Sequence, residues 1–138
     1  MEGPPCKQAP PPLAGGPLLS AISTSIVRIV REHYGRGPTK AKTYVLDDII
    51  VVVMRDSGLT ALEQTIMDSG EPDRIVDMRE DFQRTMAVRY TQTIEQLTGR
   101  KVVAFLSRAN VEPDITIGTF FLDKAPPGFD ALELVQPE

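Results

Sequence analysis

The strongest constraint on the fold is a run of six apolar residues, "IIVVVM" at 49–54, in which no polar residue alternates. A strand that is apolar on both sides is typical of a central strand covered on both faces. The aspartate pair at 47–48 separates this run from "KAKTYVL" at 40–46, so the sequence predicts a β-hairpin. A two-layer monomer covers only one face of a sheet. We therefore expect the other face to meet a second copy of the chain.

Two helices are predicted to flank this hairpin. Residues 18–34 carry apolar side chains at three- and four-residue steps, and Gly35 follows as a residue suited to a left-handed C-cap. After the hairpin, Thr60 and Glu63 have the spacing of a capping box. This pattern predicts that a short helix begins directly after Thr60 and covers residues 61–68.

The second half of the chain predicts a long helix and then another hairpin. Residues 72–98 carry a continuous apolar stripe and would form one helix of roughly 40 Å. Strands are predicted at 101–106 and 115–122. The order α-β-β-α-α-β-β indicates an α+β, two-layer sandwich. Its four-stranded, largely antiparallel sheet would consist of two hairpins with the helices packed on one face.

Composition divides the chain into one domain and two extensions. Proline and glycine dominate residues 1–17, which we expect to be disordered. Residues 18–123 form a single α+β domain, and residues 124–138 form an acidic C-terminal tail. Cys6 is the only cysteine, so no disulfide can form within the chain.

Charge and hydropathy exclude several classes of function. The net charge of −4 makes nucleic-acid binding unlikely as the main role, because such proteins normally carry a basic surplus. The longest apolar run of six residues is far shorter than the roughly 20 residues of a membrane span. The N-terminus also lacks the pattern of a signal peptide. A single cysteine fits a reducing compartment, so we expect a cytoplasmic protein, with the inner membrane face as a second setting.

The segment "YGRGPTKAKTY" concentrates positive charge. Residues 28–42 have a net charge of +4, against −8 for the rest of the chain. A phosphate-binding P-loop is excluded because the lysine does not directly follow Gly37 and a strand follows instead of a helix. The structural interpretation is that Gly35 caps a helix while Lys40 and Lys42 line one side of an edge strand, where lysines discourage aggregation.

Two arginines in the long helix need an explanation. Helical projection places Arg79 and Arg89 within the apolar stripe or at its flank. An unpaired buried charge is costly, so such an arginine must find a partner. One interpretation is an internal ion pair with Asp47, Asp48 or Glu63.

The other interpretation is an anion site. Arg79 would join Arg36, Lys40 and Lys42 around a small anion such as bicarbonate or phosphate, since guanidinium groups bind such oxyanions well. The basic loop 35–42 would then be a sensor for an anion or a nucleotide.

Catalytic chemistry has little support in the sequence. His33 is the only histidine, and no nucleophile can be paired with it from the spacing. The polar residues 107–110 and Asp114 could bind a ligand, but turn chemistry explains them as well. We therefore predict no catalytic residue, no metal site and no cofactor.

Three segments resemble one bacterial family. They are "EHYGRGPTKAKTYVLDDIIVVVMRDSGLTALEQTIMDSG", "REDFQRTM" and "LTGRKVVAFLSRANVEPDITIGTFFLD", and together they resemble the MpsC family over about residues 20–123. The resemblance implies association with a sodium-translocating, membrane-potential-generating system and with inorganic-carbon uptake. It carries over no catalytic residue.

The resulting expectation is a non-enzymatic accessory or regulatory protein. It would form a homodimer and associate with membrane transport subunits of an ion or bicarbonate system. The alternative is a sensor domain that binds an anion or a nucleotide at the basic loop 35–42.

Overall fold

The computed structural model of the chain describes residues 13–129. Residues 1–12, which include Cys6, and residues 130–138 of the expected acidic tail lie outside the described part. The elements are α1 (Gly15–Tyr34), β1 (Lys40–Leu46), β2 (Ile49–Arg55), α2 (Ala61–Asp68), α3 (Pro72–Thr85), α4 (Ala87–Thr98), β3 (Val102–Asn110) and β4 (Ile115–Leu122).

The four strands form one antiparallel sheet in the order β1-β2-β4-β3. Strands β2 and β4 are therefore central, and β1 and β3 are the edges. In the register, Val51 pairs with Tyr44 on one side and with Thr119 on the other. The predicted α+β sandwich is confirmed, and the bounds of β1, β2, α2 and β4 agree with the sequence patterns.

Helices cover one face of the sheet. Along β2 and β4, buried and half-buried residues alternate, so every second side chain points into the core. The α1 helix supplies a buried stripe at helical spacing, and α4 adds the fully buried Tyr90 and Ile94. The core cluster consists of Leu18, Ile22, Ile26, Val30, Ile50, Val52, Met54, Tyr90, Ile94, Phe120 and Leu122.

The opposite face of the sheet, which we call the open face, has no layer over it among residues 13–129. Its half-buried centre explains the apolar run of β2, whose alternate side chains point away from the helices. Leu46 and Leu106 on this face are 63% and 61% exposed. By register, the open face consists of Lys40, Lys42, Tyr44, Leu46, Ile49, Val51, Val53, Arg55, Ala104, Leu106, Arg108, Asn110, Ile115, Ile117, Thr119 and Phe121.

The prediction of a single helix over residues 72–98 is wrong. The helix is interrupted at Met86, where ψ is −1°, so α3 and α4 are separate elements. Directly before the break, the Thr85 hydroxyl donates to the Asp81 carbonyl oxygen at 2.9 Å. Such back-bonding by threonine often bends helices. The two helices are about 21 Å and 18 Å long.

The ends of the domain are joined to each other. Helix α1 begins at Gly15, three residues earlier than predicted, and the Gly15 N–H donates to the Pro127 carbonyl oxygen at 3.2 Å. The Arg100 Nε donates to the Ala125 carbonyl oxygen at 2.7 Å. The first residues after β4 therefore pack against the start of the domain. Strand β3 also extends to Asn110, beyond the predicted end at residue 106.

Candidate functional site

Arg79 lies at the centre of a buried network of charges. It projects from α3 and is only 5% exposed. Its Nε donates to Glu63 Oε2 at 2.8 Å and its Nη2 donates to Glu63 Oε1 at 3.0 Å. This is the bidentate geometry that makes arginine–carboxylate pairs strong. The pairing agrees with one of the acids expected as internal partners, whereas Asp47 and Asp48 lie in the β1–β2 turn.

The same guanidinium also binds two loops. Its Nη1 donates to Asp114 Oδ1 at 2.9 Å, and its Nη2 donates to the Gly58 carbonyl oxygen at 2.8 Å. The Gly58 N–H in turn donates to Asp114 Oδ2 at 2.9 Å. Arg79 therefore connects α3 to the segment before α2 and to the β3–β4 turn. The role of Asp114 was missed, because a residue in turn-forming sequence gives no local signal of a partner 35 residues away.

Glu63 is held from its own helix as well. The predicted capping box is confirmed: the Glu63 N–H donates to Thr60 Oγ1 at 3.0 Å, and the Thr60 N–H donates to Glu63 Oε1 at 2.9 Å. The Tyr34 hydroxyl donates to Glu63 Oε2 at 2.6 Å. The fully buried carboxylate thus accepts from Arg79, Tyr34 and Thr60, which satisfies its oxygens without solvent.

The ionisation of this network suits a structural role. Burial works against the charge of Glu63, but hydrogen bonds from Arg79, Tyr34 and Thr60 outweigh it and lower the pKa of that carboxyl. Burial, reinforced by the adjacent Glu63 carboxylate, raises the pKa of Tyr34. Burial also opposes the charge of Arg79, yet Glu63 and Asp114 raise its pKa. All three shifts move away from neutrality, whereas a general acid or base works best near the operating pH.

A small pocket borders the network. Its lining includes Arg36, Ser57, Arg79 and Gln83, and its volume of about 20 Å³ is room for roughly one water molecule. The Arg36 Nε donates to the Ser57 carbonyl oxygen at 2.6 Å. The Oε1 of Gln83 is buried without a hydrogen-bond partner among the described residues, as is the hydroxyl of Tyr90.

The four residues of the predicted anion site do not lie together. Arg36 and Arg79 share the small pocket, but Lys40 and Lys42 are not part of its lining. The Nζ of Lys40 is 3.3 Å from Asp56 on the surface, and the Nζ of Lys42 is 5.0 Å from the centre of the Tyr44 ring. Two carboxylates already bind Arg79. Anion binding by these residues stays a prediction.

The remaining sequence candidates lie at the surface. Arg89, expected within the apolar stripe or at its flank, is exposed on α4. His33 is exposed at the end of α1. Within residues 13–129, no group of three His, Cys, Asp or Glu side chains is arranged to hold a metal ion. The predicted absence of a metal site and of a cofactor stays a prediction.

The open face is polarised along the strands. Its end near the β1–β2 turn is apolar and carries Leu46, Ile49 and Phe121 in one row. Asp47 and Asp48 form the turn at that end. The opposite end of the open face carries the cationic side chains Lys40, Lys42, Arg55 and Arg108. Lys40 is paired with Asp56 at 3.3 Å and Arg108 with Glu80 at 3.6 Å, both at the surface. This surface combines apolar rows with separated charges, a composition typical of protein-binding sites.

The fold, the buried network and the open face together define the class of protein. The chain is a small α+β sandwich whose buried charges connect loops and whose sheet has one open, largely apolar face. It belongs to the family described as "Na+-translocating membrane potential-generating system (MpsC)", because that family model matches residues 15–124. The match runs from the first residue of α1 to just beyond β4, so it covers the whole fold.

Searches among curated proteins and among solved structures gave no match. Within residues 13–129, no helix has the length and hydropathy needed to cross a membrane.

Proposed function

We propose that the protein is a non-enzymatic, cytoplasmic accessory or regulatory component of a membrane system that translocates Na+ and generates a membrane potential. The family description supports the association with such a system. The role within it rests on the chain's own surfaces. Protein binding is the role that these surfaces support best. Binding to a membrane transport subunit would place the protein at the inner membrane face.

The open face is the observation that carries this proposal. Its centre consists of aliphatic side chains on β2 and β4 that are only half-buried. Exposed Tyr44, Leu46 and Leu106 continue it onto both edge strands. A contiguous apolar surface of this kind usually marks an interaction site, because its exposure to water is unfavourable.

The occupant that we propose for the open face is a second copy of the chain. Two sheets can pack face to face in aligned layers when their inner side chains are apolar. A two-fold axis that runs across the strands places the basic end of one copy over the β1–β2 turn of the other. Arg55 then approaches the partner's Asp48. An axis along the strands would instead oppose the two basic ends, which is unfavourable.

Two leucine substitutions test the proposal. Leu106 on the open face and Leu62 on α2 are 61% and 60% exposed, so Leu62→Lys is a matched control for Leu106→Lys. We expect Leu106→Lys to shift the sedimentation coefficient from dimer to monomer, because two buried lysines would lack partners. Leu62→Lys should sediment like the unsubstituted chain. Equal sedimentation of both variants as dimers would contradict the proposed interface.

A cellular measurement tests the accessory role. In cells that lack the gene, expression of the unsubstituted chain or of Leu62→Lys should restore the membrane potential, measured with a potential-sensitive dye. The Leu106→Lys variant should restore less, although it is equally folded by circular dichroism. Full restoration by a folded, monomeric variant would show that the open face is not needed for the function.

A further inference from the structure

A groove runs beside the edge strand β1, between this strand and α1. It consists of two adjoining hollows of about 410 Å³ and 370 Å³, which share Ser23, Thr24 and Ala41. Along α1 the lining extends from Gly16 to Glu32. The floor is small and weakly polar, so an extended chain could lie in it without a steric barrier. The groove is separate from the Arg79 network, and it meets the open face at Lys42.

The groove borders an unpaired sheet edge. Strand β1 pairs with β2 on one side only, and no described strand lies on its other side. Backbone N–H and C=O groups on that side can pair with an added strand, and extended peptides bind many proteins in this way. The Ser23 hydroxyl is 2.7 Å from that of Thr43, a contact that holds α1 beside the strand.

The charges along the groove select the sign of its occupant. Its lining includes the cationic residues Arg28 and Arg31 on α1 and Lys42 on β1, against the single acid Glu32. The Lys42 side chain lies on the open face, beside the Tyr44 ring. All three cations are exposed, and within residues 13–129 none forms a salt bridge. The Arg31 Nη2 donates to the Pro38 carbonyl oxygen at 3.3 Å. Because a carbonyl is neutral, the positive charge of Arg31 is not paired by this bond. A row of free cations beside a strand edge favours an acidic chain.

We propose that the α1–β1 groove binds an acidic, extended segment of a partner protein, which pairs with β1 as a fifth strand. Backbone hydrogen bonds to β1 would hold the segment, and Arg28 and Arg31 on α1 would select the carboxylates on the side of the segment that faces the helix. The inference rests on the proposed accessory role, because the acidic segment would belong to the partner protein that this role requires. The physical binding can be tested without that role.

The test uses two synthetic peptides of eight residues. One alternates Val with Glu, and the other alternates Val with Lys; both carry a fluorophore for anisotropy measurements. The full chain should bind the acidic peptide, while the basic peptide should not bind. Hydrogen exchange should slow at the backbone amides of β1 when the acidic peptide is present, because the added strand protects them.

Three variants show where the peptide binds. Arg28→Glu reverses a charge in the groove, and we expect it to weaken binding at least tenfold. Thr24→Trp fills the hollow that both parts of the groove share and should weaken binding to a similar degree without a change in charge. Arg89→Glu, which changes an exposed arginine on α4, is the control and should bind normally.

The Leu106→Lys variant separates this inference from the proposed dimer. It should bind the acidic peptide normally even as a monomer, because Leu106 does not line the groove. Binding without slower exchange in β1 would overturn the inference, since it would indicate only general attraction between charges. Binding that appears only after deletion of residues 130–138 would also overturn it, because the chain's own acidic C-terminal segment would then be the occupant.

Discussion

Arg79 shows how much of this fold depends on one side chain. Its guanidinium binds Glu63 in α2, the Gly58 carbonyl before α2 and Asp114 beside β4. A buried arginine with these partners has exchanged water for charge-assisted hydrogen bonds. Loss of the guanidinium would leave two carboxylates uncompensated, one of them fully buried.

A methionine substitution tests this dependence. Arg79→Met keeps the length of the side chain and removes the charge, so we expect the free energy of unfolding to fall by about 3–5 kcal/mol. Arg89→Met on the exposed side of α4 should change it by less than about 0.5 kcal/mol. Urea denaturation of both variants measures the difference. An equally small effect at Arg79 would show that the network contributes little to stability.

Glu63 should make the free energy of unfolding depend on pH in the acidic range. Its pKa in the folded protein lies below the ordinary value of 4.5. Its stabilising contribution is therefore complete above about pH 4.5 and is lost as the pH falls through the folded pKa. We expect Glu63→Gln to be less stable than the unsubstituted chain at pH 7, and this gap should narrow toward pH 3.

Urea denaturation at several pH values measures that gap. Glu32→Gln, which changes an exposed acid on α1, should give a small difference that stays nearly constant with pH. A gap at Glu63 that widens in acid would contradict the lowered pKa of its carboxyl.

Residue patterns predicted only part of this network. Helical projection placed Arg79 near the core, and the capping box located Glu63 at the start of α2; the structure brings the two together. Asp114 could not be found in this way, because its pairing depends on how the β3–β4 turn packs against α3. Lys40 was grouped with Arg79 only because both side chains are cationic. Charge alone does not show whether two side chains lie close together in the fold.

At the scale of elements, local signals determined most boundaries. The Asp47–Asp48 turn, the capping box and the apolar period of each strand gave β1, β2, α2 and β4 with their observed bounds. Helix α4 ends at Thr98, and Gly99 follows with φ of 67° as a left-handed C-cap. These elements follow from interactions between residues close in sequence.

The break at Met86 could not be predicted from such signals. Neither proline nor glycine lies there, and the apolar stripe continues through it. The interruption instead accompanies the hydrogen bond from the Thr85 hydroxyl to the Asp81 carbonyl oxygen. A threonine in a helix is common without a bend, so its presence alone does not predict one.

For the whole molecule, one covered and one open sheet face are the main architectural facts. The helices bury one side of β2, and the other side stays apolar without a described layer over it. The apolar run at 49–54 predicted two apolar faces, and it could not reveal the charge gradient along the open face. That gradient needs the strand register, which brings Arg55 and Arg108 to the same end as Lys40.

The gradient gives a test of how the proposed dimer is arranged. With a two-fold axis across the strands, Arg55 lies near the partner's Asp48, so Arg55→Glu should weaken the dimer about fivefold, since the contact occurs twice. The double variant Arg55→Glu with Asp48→Lys should regain the lost affinity, because the pair is restored with its charges exchanged. With an axis along the strands, the basic ends would face each other, and Arg55→Glu would strengthen the dimer. Sedimentation equilibrium of the three chains at low salt distinguishes these arrangements by the sign of the change in dissociation constant.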